Sequence, residues 1–347
     1  MKKILVAMSG GVDSAAACLL LRRQGYAIGG ATMLLRDGGE AEAEDAQRAA
    51  EQMGIPFHLF EWKEAFQKRV IAPFTDIYRA GATPNPCVIC NGAMKFGLFL
   101  ERALALGYDG IATGHYARIA QENGRYVLRV AVDRPKDQTY VLCKLTQQQL
   151  SHTLFPLGDI ENKDAVRALA AEAGLELARK HDSQDICFVP DGDYTAFLER
   201  YTGKTYPQGD FLDESGKVVG KHHGAVRYTI GQRKGLGLAM GEPVYVCGKD
   251  MQANTVTVGP NSSLFSSALQ ANDWNWFPFP ELTEPMDVTV KIRHSQFEQP
   301  GRVFPEADGF ARVEFAQPLR AVTPGQAVVL YQGDMVLGGG TITEAIR

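Results

Sequence analysis

The chain opens on a short apolar run, Ile4-Leu5-Val6-Ala7-Met8, closed by polar and glycine residues. A run of that length bounded by turn residues predicts a buried strand. Ala15, Ala16, Cys18, Leu19, Leu20 and Leu21 then recur at helical spacing. The alternation repeats, predicting strands over 4–8, 27–35, 56–60 and 110–113, with helices over 14–24, 41–53, 65–78 and 93–106. Gly25, Gly54 and Gly107 follow three of these helices, where C-cap glycines belong. Strands alternating with helices imply an α/β fold with a doubly wound parallel sheet and a ligand beyond the strands' carboxyl ends. Thr113-Gly114-His115 ends a strand and is expected at that edge.

Residues 116–132 alternate apolar and polar positions around Asn123-Gly124, a hairpin signal. A helix is expected over 162–173. After about residue 200 short β-rich runs are broken by Gly216, Gly220, Gly231, Gly235, Gly237, Pro243 and Pro260. That texture predicts a small central domain. Residues 272–285, with three prolines and two tryptophans, read as a linker. Closely spaced strands over 287–293, 311–315 and 327–331 then predict a C-terminal antiparallel β-barrel. The 347 residues divide into 1–200, 201–275 and 276–347.

Composition adds limits. The first apolar run is too short for a signal segment or a membrane span and leads directly into glycines, so the chain reads as cytoplasmic with no membrane partner. Six cysteines, at 18, 87, 90, 143, 187 and 247, are too sparse for a secreted disulfide framework. Cys18, Cys143 and Cys247 lie in apolar context and read as core. The net charge of −4 carries no nucleic-acid signal by itself. Its distribution does: Arg200, Lys204, Lys217, Lys221, Arg227, Arg233 and Lys234 face only Asp210, Asp213 and Glu214 over one stretch. Such a patch can track a phosphate backbone.

The first strand runs into Ser9-Gly10-Gly11-Val12-Asp13-Ser14 and then a helix. Glycines free the backbone N–H groups to turn toward an anion, Ser9 and Ser14 add donors, and the helix N-terminus adds positive dipole. No lysine closes the loop, so it is not a GxxxxGK[ST] P-loop. It resembles the SGGxDS loop of the PP-loop ATP pyrophosphatases, adenine nucleotide α-hydrolase-like enzymes that hold ATP phosphates there and transfer AMP to a substrate oxygen.

A second unusual segment is Thr83-Pro84-Asn85-Pro86-Cys87-Val88-Ile89-Cys90-Asn91. A thiol just before a helix N-terminus is expected to have a lowered pKa. SGGVDS, TPNPxxxCNxxxKF, ATGHY, KDQ, DSxxICF, YTIGQRKGLG and TPGQ occur in this order along the chain. Together they resemble the tRNA-specific 2-thiouridylases, which place sulfur on the wobble uridine of tRNA. The resemblance implies that Ala7, Met8, Ser9, Gly10, Gly11, Val12, Asp13 and Ser14 bind ATP phosphates with Mg²⁺, and that Met33 and Gly114 hold adenosine. It implies Cys187 as the persulfide carrier and Cys90 as its partner thiol, leaving a Cys90–Cys187 disulfide after transfer. Asn85, Pro86 and Cys87 would line the target-base pocket. His115, Lys136, Asp137, Gln138, Arg293, His294 and Gln326 would contact tRNA. The implied partners are the Lys, Glu and Gln tRNAs and a cysteine desulfurase or sulfur-relay protein.

Cys87 departs from family members that carry Asp there. It could fill space, or join Cys90 and Cys187 as ligands of an iron–sulfur cluster or, with a histidine, of zinc. Rival readings are another PP-loop ATP pyrophosphatase acting on tRNA and a non-catalytic tRNA- or metal-binding protein.

Overall fold

The computed structural model describes residues 1–172 and 186–347. The first strands are β1 (Lys3–Ala7), β2 (Ala27–Leu34), β3 (Phe57–Glu61) and β4 (Gly110–Ala112). Next come β5 (Arg118–Glu122) and β6 (Arg125–Arg129), then the short β7 (Thr153–Leu154). One sheet has the order β3-β2-β1-β4-β7, and every pair in it is parallel. This is the doubly wound sheet that the alternation predicts. The strand order reverses between β1 and β4, which opens a crevice beyond their carboxyl ends. The glycine loop leaves β1 there, and Thr113-Gly114-His115 leaves β4 beside it.

Helix α1 (Val12–Arg23) follows the loop and α2 (Glu40–Met53) follows β2. Both press small side chains inward: Ala15, Ala16 and Ala17 from α1, and Ala46, Ala49 and Ala50 from α2, against Ile4 and Val6 of β1 and Met8 just beyond it. Small residues let the helices lie close to the sheet and fix where the α1 N-terminus points. Cys18 belongs to this core, and burial pushes its thiol up to about 12.

The helix expected over 93–106 begins earlier, at Pro86. It runs through Pro86–Cys90, a π segment Asn91–Leu98, and Phe99–Ala105. The reason is a cap. Asn85 Oδ1 accepts from the N–H groups of Cys87 and Val88 at 3.2 and 3.3 Å. Pro86 takes the first helical position, where a missing N–H costs nothing. Cys87 and Cys90 therefore lie within the first turns of a helix rather than ahead of it. The helix expected over 65–78 is likewise a composite of Lys63–Phe66, a π turn Gln67–Ile71 and Ala72–Arg79.

A central four-stranded sheet contains β8 (Gly209–Leu212), β9 (Val218–His222), β10 (Tyr245–Asp250) and β11 (Thr255–Gly259), in the order β10-β11-β8-β9. The C-terminal barrel follows: β12 (Phe265–Trp276), β13 (Met286–Lys291), β14 (Gln299–Pro305), β15 (Ala311–Arg320), β16 (Ala327–Gln332) and β17 (Met335–Ile346). Its order is β12-β15-β14-β13-β16-β17, and antiparallel pairing of β12 with β17 closes the ring. The linker expected over 272–285 begins only after Trp276. Its tryptophans are strand residues, stacked on each other with centroids 4.7 Å apart.

The hairpin β5–β6 forms around Asn123 and Gly124, both at positive φ, as a tight hairpin turn requires. It does not join the first sheet. Leu128 and Arg129 pair with Val336 and Met335 of β17, so the hairpin extends the barrel sheet. Val127 and Leu128 are fully buried, and Asp334 forms ion pairs with both Arg118 and Arg129. Among the described residues no helix is long and apolar enough to cross a membrane.

Candidate active site

The glycine loop is held by its strand neighbours. Met8 N–H donates to Ala31 O at 2.8 Å, and Thr32 Oγ1 donates to Met8 O at 2.7 Å. Gly10 sits at φ +68°, and a Cβ there would lie 2.7 Å from Glu42 O. Only glycine fits. No side chain caps α1 at Gly11, which leaves first-turn N–H groups for an anion. Ser14 Oγ donates to Gly11 O and accepts from Ser9 N–H, so the loop closes on itself without a ligand. Gly114 presses on the loop from β4: a Cβ there would lie 2.9 Å from Asp13 C and Ser14 N. Ala7 and Met33 are half-buried at strand ends, whereas Met8 and Val12 are core.

Asp13 carries the loop's one carboxylate, and two groups that the sequence reading did not assign engage it. Tyr116 Oη donates to Oδ1 at 2.9 Å, and Lys163 Nζ pairs with Oδ2 at 2.7 Å. Tyr116 was visible in the ATGHY motif. Lys163 stands 150 positions from Asp13, at the start of helix Lys163–Glu172, and no local pattern marks it.

The cysteines form a second focus. Cys87 and Cys187 are exposed and Cys90 is half-buried, all as free thiols. Cys87, Cys90 and Cys187 act electrostatically on one another. Cys90 and Ile186 pack on a cluster that contains Met94 and Phe188. The expected lowering of a thiol pKa does not occur at either catalytic candidate. Burial pushes Cys90 from 9.0 up to about 11, with Lys95 acting in the opposite sense. That rise disfavours the anion by about 3 kcal/mol, more than the 0.3–1 kcal/mol a helix terminus typically supplies. Burial raises Cys187 too, against Lys95 and Arg36. Asp182, Ser183, Gln184 and Asp185 of the DSxxICF motif lie outside the described residues.

The two foci are neighbours. Arg36, which acts on Cys187, donates to Glu42 at 2.8 Å, and Glu42 O faces Gly10. The loop ahead of the cysteines is clamped by the barrel. Gln326 Nε2 donates to Thr83 O at 3.0 Å and Pro84 O at 3.1 Å, and Thr83 N–H donates to Pro324 O at 2.9 Å. Tyr140 Oη donates to Ala327 O at 2.8 Å and also reaches Asn85. Gln326→Ala should therefore leave Asn85–Cys90 loosely placed. We expect thiolation to fall about tenfold, through KM for RNA rather than ATP use, with little change in melting temperature. Steady-state kinetics with each substrate varied would check this.

The chain is 46% identical to the tRNA-specific 2-thiouridylase MnmA of Clostridium acetobutylicum over 353 aligned residues, covering 98% of this chain and 99% of that protein. It belongs to the tRNA-specific 2-thiouridylase family. The corresponding protein of Geotalea uraniireducens is 48% identical, over 100% of this chain and 96% of that protein. Three family models tile the thiouridylase: a tRNA methyl transferase HUP domain over 2–191, a tRNA methyl transferase PRC-barrel domain over 195–260 and an aminomethyltransferase beta-barrel domain over 266–342. A solved 4-thiouridine synthetase–RNA complex with bound ATP aligns with 58% of this chain and 50% of that one, at TM-score 0.34 and 16% identity.

Several residues expected to touch RNA in this thiouridylase hold partners within the protein. His115 is buried against Phe96 and Phe155, its Nδ1 lies 2.7 Å from Thr113 Oγ1, and burial holds its pKa well below the usual range. Asp137 is buried and accepts from Ala131 N–H and Thr139 N–H and Oγ1. Gln138 Oε1 accepts from Tyr116 N–H. Arg293 Nη2 donates to Ile230 O, Ala321 O and Thr323 Oγ1, tying the barrel to the central domain. Lys136 is half-exposed and His294 exposed, its ring edge-on to Tyr140. In the basic stretch, Arg200, Lys221 and Arg227 pair with Asp191, Asp210 and Glu199, while Arg233 and Lys234 are exposed.

An iron–sulfur cluster or a zinc ion needs its ligands converging on one point. Among the described residues no group of three His, Cys, Asp or Glu side chains is placed to hold a metal ion. Cys87, Cys90 and Cys187 as arranged do not fit either one.

Proposed function

We propose that this thiouridylase is an ATP-dependent tRNA sulfurtransferase acting on C2 of the wobble uridine. The observation that supports the reading best is an interacting thiol pair, Cys90 and Cys187, beside a glycine loop with open helix N–H groups. The loop amides and the Ser9 and Ser14 hydroxyls fit phosphate oxygens, and Asp13 suits Mg²⁺, which takes few protein ligands beside phosphates. The C2 oxygen of uracil is a poor leaving group, and ATP bound at the loop supplies the adenylyl group that converts it into one that departs as AMP. Lys163, paired with Asp13 here, is placed to turn toward the phosphates.

Cys187 carries the incoming sulfur as a persulfide, loaded by a cysteine desulfurase or relay protein. Its terminal sulfur attacks C2, forming the C–S bond as AMP leaves. The Cys90 thiolate then attacks Cys187 Sγ. The S–S bond to the transferred sulfur breaks, and its electron pair stays on the sulfur now bound to C2. A Cys90–Cys187 disulfide remains, and a thiol reductant must return two electrons and two protons. Asn85, Pro86 and Cys87 line the base pocket, which an unstacked anticodon base can enter. Residues 1–200 carry this chemistry, and the units over 201–275 and 276–347 grip the tRNA, with Lys, Glu and Gln tRNAs as the expected acceptors.

The test is a stoichiometry. With ATP, tRNA and persulfide donor, one AMP and one pyrophosphate should appear per 2-thiouridine, only when tRNA is present. AMP release without thiouridine would move the chain to another PP-loop activity. Absence of both would leave a binding protein.

A further inference from the structure

Lys95 makes no hydrogen bond or ion pair among the described residues, yet three groups lie within its electrostatic reach: Cys90, Cys187 and buried His115. Its position follows from the backbone. In a regular α-helix, residues five apart are about 140° apart around the axis. The π segment Asn91–Leu98, with its i→i+5 pattern, winds more loosely and brings residue 95 beneath residue 90. Such turns concentrate at functional sites. The remaining groups acting on Cys90 are the thiols Cys87 and Cys187. Arg36 reaches Cys187 as well, but Glu42 already pairs with it at 2.8 Å. Lys95 is thus a half-buried ammonium with no carboxylate partner among the described residues, within electrostatic reach of two thiols, one of which, Cys90, packs with Ile186 and Phe188.

We infer that Lys95 is the anion-holding residue of the thiol site, a positioning residue that lowers the cost of ionising the reacting sulfur of Cys187 or Cys90. Its ligand class is a sulfur anion: the thiolate of Cys90 or the terminal sulfur of a Cys187 persulfide. Around a buried thiol a nearby cation offsets part of the loss of solvation, as a paired charge does elsewhere in protein interiors. The inference rests on the thiol-transfer reading above, yet its test needs neither ATP nor tRNA.

Wild type, Lys95→Met and Lys95→Arg would be alkylated at one fixed pH with neutral iodoacetamide and with anionic iodoacetate, and the modified cysteines assigned by peptide mass. Lys95→Met should slow iodoacetamide at Cys90 and Cys187 about tenfold, the effect of one pKa unit, and slow iodoacetate further. Lys95→Arg should stay near wild type with both reagents. Because Lys95 makes no hydrogen bond among the described residues, the Met variant should melt near wild type. Unchanged alkylation in Lys95→Met would overturn the inference, as would an Arg variant as slow as Met. Alkylation that follows the charge while thiolation fails in wild type would sink the reaction and leave the anion site standing.

Discussion

Cys187→Ser and Cys90→Ser should each lower 2-thiouridine formation by more than about 10³-fold, the scale seen when a covalent nucleophile is removed. They should fail differently. Without Cys187 no sulfur is loaded, and neither persulfide nor RNA adduct forms. Without Cys90 the carrier still loads and attacks, but nothing cuts the S–S bond. The tRNA should then remain joined to Cys187 through the transferred sulfur, as a band on a denaturing gel that dithiothreitol removes. Cys187 is exposed, Cys90 is half-buried and serine is nearly the size of cysteine, so tRNA binding should survive both changes. Normal thiolation by either variant would defeat the assignment, and an adduct with Cys187→Ser would exchange the two roles.

Gly114→Ala is expected to have the second largest effect. The added Cβ would lie 2.9 Å from Asp13 C and Ser14 N. Backbone atoms at the start of α1 cannot yield as a flexible side chain can. The loop must shift, and its N–H groups with it. We expect tRNA-dependent AMP release to fall at least a hundredfold, about 3 kcal/mol in the barrier, with a melting temperature within a few degrees of wild type. Gly241→Ala, whose Cβ meets nothing within 4 Å, is the control and should be neutral. Full AMP release by Gly114→Ala would show that the contact does not shape the loop.

The parallel sheet was legible because each of its longer strands is a short apolar run ending in a turn, and glycines such as Gly54 close helices in the left-handed conformation. Asn123-Gly124 announced its hairpin for the same local reason. What the hairpin joins was not legible, since its partner β17 lies at the far end of the chain. Asn85-Pro86 is a helix-start signal in plain view, but the helical spacing that predicts an element over 93–106 places its start seven residues later. The thiol pKa values were misread because the dipole is local and the burial is not: Phe188 and Ile186 come from a distant segment. His115, Asp137 and Arg293 show the same gap. A polar residue in a motif marks a constrained position, and only packing shows whether it faces a ligand or its own backbone.

The attachment of β6 to β17 also has a consequence during synthesis. Leu128 pairs with Val336, and Tyr140 with Ala327 O, so the first lobe cannot bury this surface until almost the whole chain has been made. The gap of about 200 residues corresponds to roughly 10–40 s of translation at 5–20 residues per second. Through that interval the apolar side of the nascent hairpin has no partner. A ribosome-bound chaperone holding this segment would match the timing, and a chain cut short of β17 would leave the hairpin exposed.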